Sequence, residues 1–176
     1  DSLYAPAGYE VCFAQEAKQV TTSGAEENGQ GTTDVKRPDI VYGDFCIGVH
    51  GEDFSVLFDK GQGGIVSLVY DGEEYITRTP QVSFWRAYTD NDRGAGYQIF
   101  AARWEGAAKY ARYRRDLISW EEKEDCLELI FPYEASMTPS FLYKVVYRVF
   151  FDGKVLVRAE YPGVDTEVDF PVFAMD

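Results

Sequence analysis

One histidine and three cysteines are all this 176-residue chain has in the way of soft metal ligands. Cys12, Cys46 and Cys126 are widely spaced, form no CxxC pair and have only His50 to share a metal with, so a structural zinc site has no ligand set. An odd number of cysteines fits a reducing compartment better than a disulfide-stapled secreted domain, and the chain is expected to be cytoplasmic. Positive charge is scarce as well. Seventeen Lys and Arg against thirty Asp and Glu leave a net charge of −13, which repels phosphate backbones and anionic lipid headgroups. Nucleic acid and membrane surfaces are therefore not expected partners. No stretch approaches the roughly 20 apolar residues that span a bilayer, and the chain starts without a basic and apolar leader or an initiator Met. With its last residues following an apolar run, it reads as a piece of something longer.

What is present is a large apolar and aromatic complement, 45% and 16% of the residues, enough for one domain with a buried core. Residues 9–16 alternate as a single strand, which must add to a neighbouring sheet because one strand cannot fold alone. From Thr21 the composition turns to Gly, Ser, Thr, Glu, Asn and Gln, so 1–20, a linker over 21–43 and a domain over 44–176 are the expected parts. Past the linker, period-two apolar runs are broken every 8–12 residues by Gly, Asp and Pro, the punctuation of antiparallel structure. Asp71-Gly72 predicts a type I′ hairpin and Asp152-Gly153 a second hairpin, with long strands over 125–131, 141–151 and 155–161. Tyr97–Tyr110 reads as a short helix or an irregular excursion. The fold class is all-β, an antiparallel β-sandwich.

Few segments invite a chemical reading. The glycines at 61, 63 and 64 lack the GK[ST] ending of a phosphate loop and sit between strands, so they are read as turn residues with positive φ. His50 has no nucleophile motif around it and is read as a surface residue. The run Phe84-Trp85-Arg86-Ala87-Tyr88-Thr89-Asp90-Asn91-Asp92-Arg93-Gly94 stands apart, with two carboxylates, an amide and two guanidiniums following an aromatic strand end. Its polar groups could hydrogen-bond sugar hydroxyls while Trp85 and Tyr88 cover a pyranose face. They could equally satisfy one another, with Asp90 and Asn91 capping backbone N–H groups and Arg86 paired to a carboxylate. A third reading makes Asp90 and Asp92 the acid and nucleophile of a retaining glycosidase, which needs carboxyl groups about 5–5.5 Å apart on one sugar.

These same residues resemble the R-A-P-x-D-N-D-x-G signature of the last, small-chain domain of the large multidomain β-galactosidases, with Tyr88 in the place of Pro. Phe54–Asp59 followed by Gly64–Leu68 is similar to the hairpin that opens that domain, and Trp104 with Gly106, Ala107 and Ala108 is similar to its W-x-x-A-G segment. Pro6–Val11 with Gln15 resembles the last strand of the immunoglobulin-like domain before it. The resemblance implies that residues 1–20 are that strand and 44–176 the N-terminal portion of a galactose mutarotase-like supersandwich. It also implies that the catalytic glutamates and the magnesium ligands lie in a TIM barrel outside this sequence, so no catalytic residue and no cofactor is expected here. Arg86, Asp90, Asn91, Asp92, Arg93, Gly94 and Trp104 become candidates for the active-site rim or sugar binding, and Gly94 to Arg103 for a mobile flap hinged on glycine. The implied partners are the other domains of a β-galactosidase, an oligomer whose substrate is a β-galactoside. An autonomous carbohydrate-binding module is the alternative, favoured if Trp85, Tyr88 and Trp104 form an exposed flat platform. Mutarotase activity would need a histidine across the sugar from a carboxylate, and His50 lies far from the signature in sequence.

Overall fold

The chain divides into residues 1–33 and 34–176. The structure, a computed structural model, describes residues 36–163 and 171–175, all within the second unit. The strand expected over residues 9–16 and the immunoglobulin-like assignment of 1–20 lie outside the described residues.

The first sheet is a five-stranded meander of β1 (Asp39–Tyr42), β2 (Cys46–His50), β3 (Phe54–Asp59), β4 (Ile65–Tyr70) and β5 (Glu73–Glu74), paired in sequence order and antiparallel throughout. Asp71 at φ 50° and Gly72 at φ 83° place two consecutive residues in the left-handed region between β4 and β5, as a type I′ turn requires. β1 falls inside the stretch assigned above to the linker. Its apolar residues Ile40, Val41 and Tyr42 are too few to register as a strand, and pairing with Ile47–His50 of β2 is what orders them.

The second sheet runs β11 (Val155–Glu160), β10 (Leu142–Phe150) and β9 (Cys126–Glu134). The far edge of β9 is shared by β7 (Arg112–Tyr113) near one end and β8 (Ser119–Glu122) near the other. Gly153, at φ 91°, closes the β10–β11 hairpin. Alternation along β9 and β10 sends Leu127, Leu129, Phe131, Val145, Tyr147 and Val149 to one face, where they meet Ile47, Val49, Val56 and Phe58 of the first sheet. Phe58 lies 5.9 Å from Phe131 and 5.2 Å from Tyr147, ring centre to ring centre, at the middle of this aromatic core. The result is the expected antiparallel sandwich.

One lateral edge of the sandwich is sealed. Tyr42 of β1 stacks on Trp120 of β8 and donates a 2.6 Å hydrogen bond to Glu122, Arg37 pairs with the same carboxylate, and Lys60 sits over the Trp120 ring. Burial, with Glu122 adding to it, pushes the Tyr42 hydroxyl up to about 12.

Between the sheets in sequence lie β6 (Val82–Ser83), α1 (Asp90–Gly94) and α2 (Tyr97–Lys109), and a late β12 (Ala174–Met175) pairs with β6. Helix α2 buries Ala101, Trp104 and Ala107, spaced three apart on a single face. Phe84, just after β6, receives that face: its ring is 5.8 Å from Trp104, 5.6 Å from Phe141 and 5.4 Å from Tyr143. The signature segment is thus anchored at its start by a buried phenylalanine and at its end by a helix packed on the same ring.

Candidate functional site

Between those two anchors the chain turns on a capping box. Thr89 is the N-cap of α1, and its hydroxyl accepts the Asp92 backbone N–H at 3.3 Å. Oδ2 of Asp92 in return accepts the Thr89 backbone N–H at 2.7 Å and the Thr89 hydroxyl at 2.8 Å. The same carboxylate takes Arg86 Nη1 at 2.7 Å, while Nη1 also donates to the Ala87 carbonyl at 3.0 Å. Arg86 above all, then the Thr89 backbone and hydroxyl, hold the Asp92 carboxyl far below the usual carboxylate range. Asp92 in return raises the Arg86 guanidinium.

Each candidate residue therefore has a distinct place. Asp92 is internal to the turn and Arg86 is locked to it. Asp90 is fully exposed and reaches only Arg93, at 3.4 Å, itself an exposed side chain. The expected capping by Asp90 and Asn91 is corrected: Thr89 and Asp92 do it, and the spacing Thr89-x-x-Asp92 carried that signal in the sequence. The Asn91 backbone carbonyl accepts the Ala95 N–H at 3.0 Å, and Asn91 lines, with Arg86, Asp92, Ala95, Tyr97 and Pro171, an open cleft of about 410 Å³. Trp104 is set apart from the other six. With 1% of its surface exposed it offers no ring face to a sugar, and its work is packing.

With α2 as the short helix expected over Tyr97–Tyr110, the stretch from Gly94 to Arg103, expected as a mobile flap, is largely helical. It comprises the end of α1, the link Ala95-Gly96 and the first turns of α2. Gly94 has a negative φ and open space around it, so the residue that needs to be glycine is Gly96, at φ 69°, the N-cap of α2.

Asp90 and Asp92 do not converge on a common point, since one faces solvent and Arg93 while the other is consumed by Arg86 and Thr89. A carboxylate held that acidic cannot donate a proton near neutral pH. The aromatic platform does not form either: Trp85 and Tyr88 meet edge to face at 87°, both half-buried, and Trp104 is buried elsewhere. His50 is exposed at the end of β2 in a separate cleft with Lys36, Arg37, Asp39 and Glu52. Cys46 and Cys126 are free thiols, and Cys12 lies outside the described residues. Among the described residues no three His, Cys, Asp or Glu side chains are placed to hold a metal, and no helix is long and apolar enough to cross a membrane.

Comparison with known proteins converges on a single family. The model of the β-galactosidase small chain matches residues 50–176. A β-galactosidase from Clostridium acetobutylicum is 37% identical over 175 residues, 99% of this chain and 19% of that protein. One from Lactobacillus delbrueckii subsp. bulgaricus is 42% identical over 159 residues, 89% of this chain and 16% of that protein. The β-galactosidase small subunit of Latilactobacillus sakei is 28% identical over 158 residues, covering 80% of this chain and 50% of the subunit. The chain spans less than a fifth of the length of the first two relatives, and with the family match over 50–176 it belongs to the β-galactosidase small-chain family.

Proposed function

We propose that this chain works as the N-terminal portion of the small-chain domain of a β-galactosidase that hydrolyses terminal β-galactosides, and that it does so without contributing a catalytic group. The observation that carries the reading is the state of Asp92, the one carboxylate lining the cleft of the signature segment. Its two oxygens are committed to Arg86 and Thr89 and its proton affinity is depressed, the opposite of what a glycosidase acid needs. The cleft is also lined by Asn91, Tyr97 and Arg86, neutral and cationic hydrogen-bonding side chains on a turn held by the capping box. Groups of that kind shape the rim of a site whose reacting residues are supplied by another domain. The glutamates and the magnesium sites that the family resemblance implies belong to that other domain, and the remaining domains of the enzyme are this chain's partners. Two free thiols support a reducing cytoplasmic setting, and the enzyme is read as an oligomer.

The test is turnover. The purified 176-residue chain is expected to leave a chromogenic β-galactoside unhydrolysed above background, while the complete polypeptide hydrolyses it. Turnover by the isolated chain that survives repurification and disappears on Asp92→Asn would overturn the proposal.

A further inference from the structure

The edge of the second sheet that carries β7 and β8 is electrically polar. Both strands run along β9, with Arg112 opposite Glu134 at one end and Glu121 opposite Glu128 about 20 Å further along. Arg112, Arg114 and Arg115 crowd the first end around an open cleft of about 610 Å³, which Tyr113 and Asp116 also line. Two carboxylates answer these three guanidiniums. Glu134 takes Arg112 at 2.9 Å and Arg114 at 3.3 Å, and Asp116 takes Arg114 at 2.7 Å. Arg115 sits over the Phe45 ring at 6.0 Å and has no carboxylate among the described residues. The other end is the reverse, the turn Glu121-Glu122-Lys123-Glu124-Asp125. Its Lys123 is spent on Glu128 and its Glu122 on Arg37 and Tyr42, while Glu121 and Glu124 are exposed with no cation among the described residues. Between the two ends stand Leu117 and Trp120, both exposed.

We propose that the strip from Arg112 to Asp125 is a two-fold interface with a second copy of this chain, the acidic turn of each copy seated in the arginine cleft of the other. It deepens the reading of the enzyme as an oligomer and rests on that reading. Two identical strips laid antiparallel bring the positive end of each to the negative end of the other, so every contact occurs twice, as an isologous interface requires. Laid parallel they would set like charge against like. Charge also selects the occupant: a cleft of guanidiniums on an acidic chain attracts carboxylates, and a carboxylate-rich turn at the matching separation lies on the chain itself. The −13 of each copy is a weaker opponent than it looks. Exposed charges more than about 8 Å apart are largely screened at physiological ionic strength, whereas pairs in contact are not. Arginine and aromatic side chains, here Arg112, Arg115, Phe45 and Trp120, are the residues enriched in such contacts. Leu117, near the middle of the strip, faces its own counterpart across the axis.

Leu117→Cys in the complete polypeptide tests this with a short thiol-to-thiol crosslinker, the unsubstituted protein giving the background of the native cysteines. A covalent dimer is expected. On that background Arg115→Glu or Glu121→Arg alone should slow its formation by roughly tenfold or more, because the two-fold axis repeats each new repulsion. The two reversals in one chain should restore the rate to within a few-fold, since each reversed end meets its opposite again. All three positions are exposed, so the fold tolerates the changes. Absence of a covalent dimer, or a rate that neither reversal changes, would overturn the proposal. So would a double reversal no faster than the single ones, because the arginine cleft would then be meeting an acidic surface other than the turn of a second copy. The readout does not use turnover, so hydrolysis by the isolated chain would defeat the functional reading without being mistaken for failure of this one.

Discussion

Trp104→Ala is expected to destabilise the chain by about 3–5 kcal/mol, the range for deleting a fully buried large aromatic. The ring sits between α2 and the strand ends, 5.8 Å from Phe84 and 6.1 Å from Phe141, so its loss opens a cavity at the point where the signature segment is pinned to the sandwich. Urea unfolding followed by circular dichroism measures the effect as a lower midpoint at unchanged slope. Trp104→Phe, which keeps most of the contact, should cost far less. If the ring instead faced a sugar, the alanine variant would unfold like the unsubstituted chain and only ligand affinity would change.

Gly63→Ala should cost a comparable amount by a different mechanism. Gly63 has φ 85°, where an L-residue loses about 1–2 kcal/mol to backbone sterics. A methyl group there would also stand 2.9 Å from Tyr113 Cδ2 and 2.9 Å from the Tyr133 hydroxyl, closer than real contacts allow. Overpacking against half-buried rings adds about 1–3 kcal/mol. The same denaturation experiment reads it, and Gly94→Ala is the control, because that methyl group meets nothing within 4 Å and φ is negative. Gly63 and Gly64 are therefore a point of close approach between the β3–β4 turn and the tyrosines of the second sheet.

Features fixed by local backbone chemistry were legible in the sequence. Asp71-Gly72 announced its hairpin because few other pairs tolerate two positive φ values, and β9, β10 and β11 showed themselves through alternation over six to nine residues. The α2 face was legible too, as Ala101, Trp104 and Ala107 at helical spacing, and weighing that pattern would have moved Trp104 from the rim to the core. Features decided by chain reversal or by distant partners were not. Arg86 meets Asp92 only because Thr89 turns the chain between them, and a residue count cannot say which of Asp90 and Asp92 faces inward. The Tyr42–Trp120 contact joins residues in different sheets, so nothing near either ring signals it, and β1 was hidden within the linker for the same reason.

The proposed role of the signature segment is to organise the rim without doing chemistry. It is tested most directly by the pH dependence of kcat and KM for the complete polypeptide carrying Asp92→Asn. That variant keeps the shape of the turn and removes the charge that holds Arg86. A loosened rim predicts a raised KM and a reduced kcat with both limbs of the pH profile retained. Loss of roughly 10²–10⁴ in kcat together with one limb of the profile, the signature of a missing acid–base group, would contradict it.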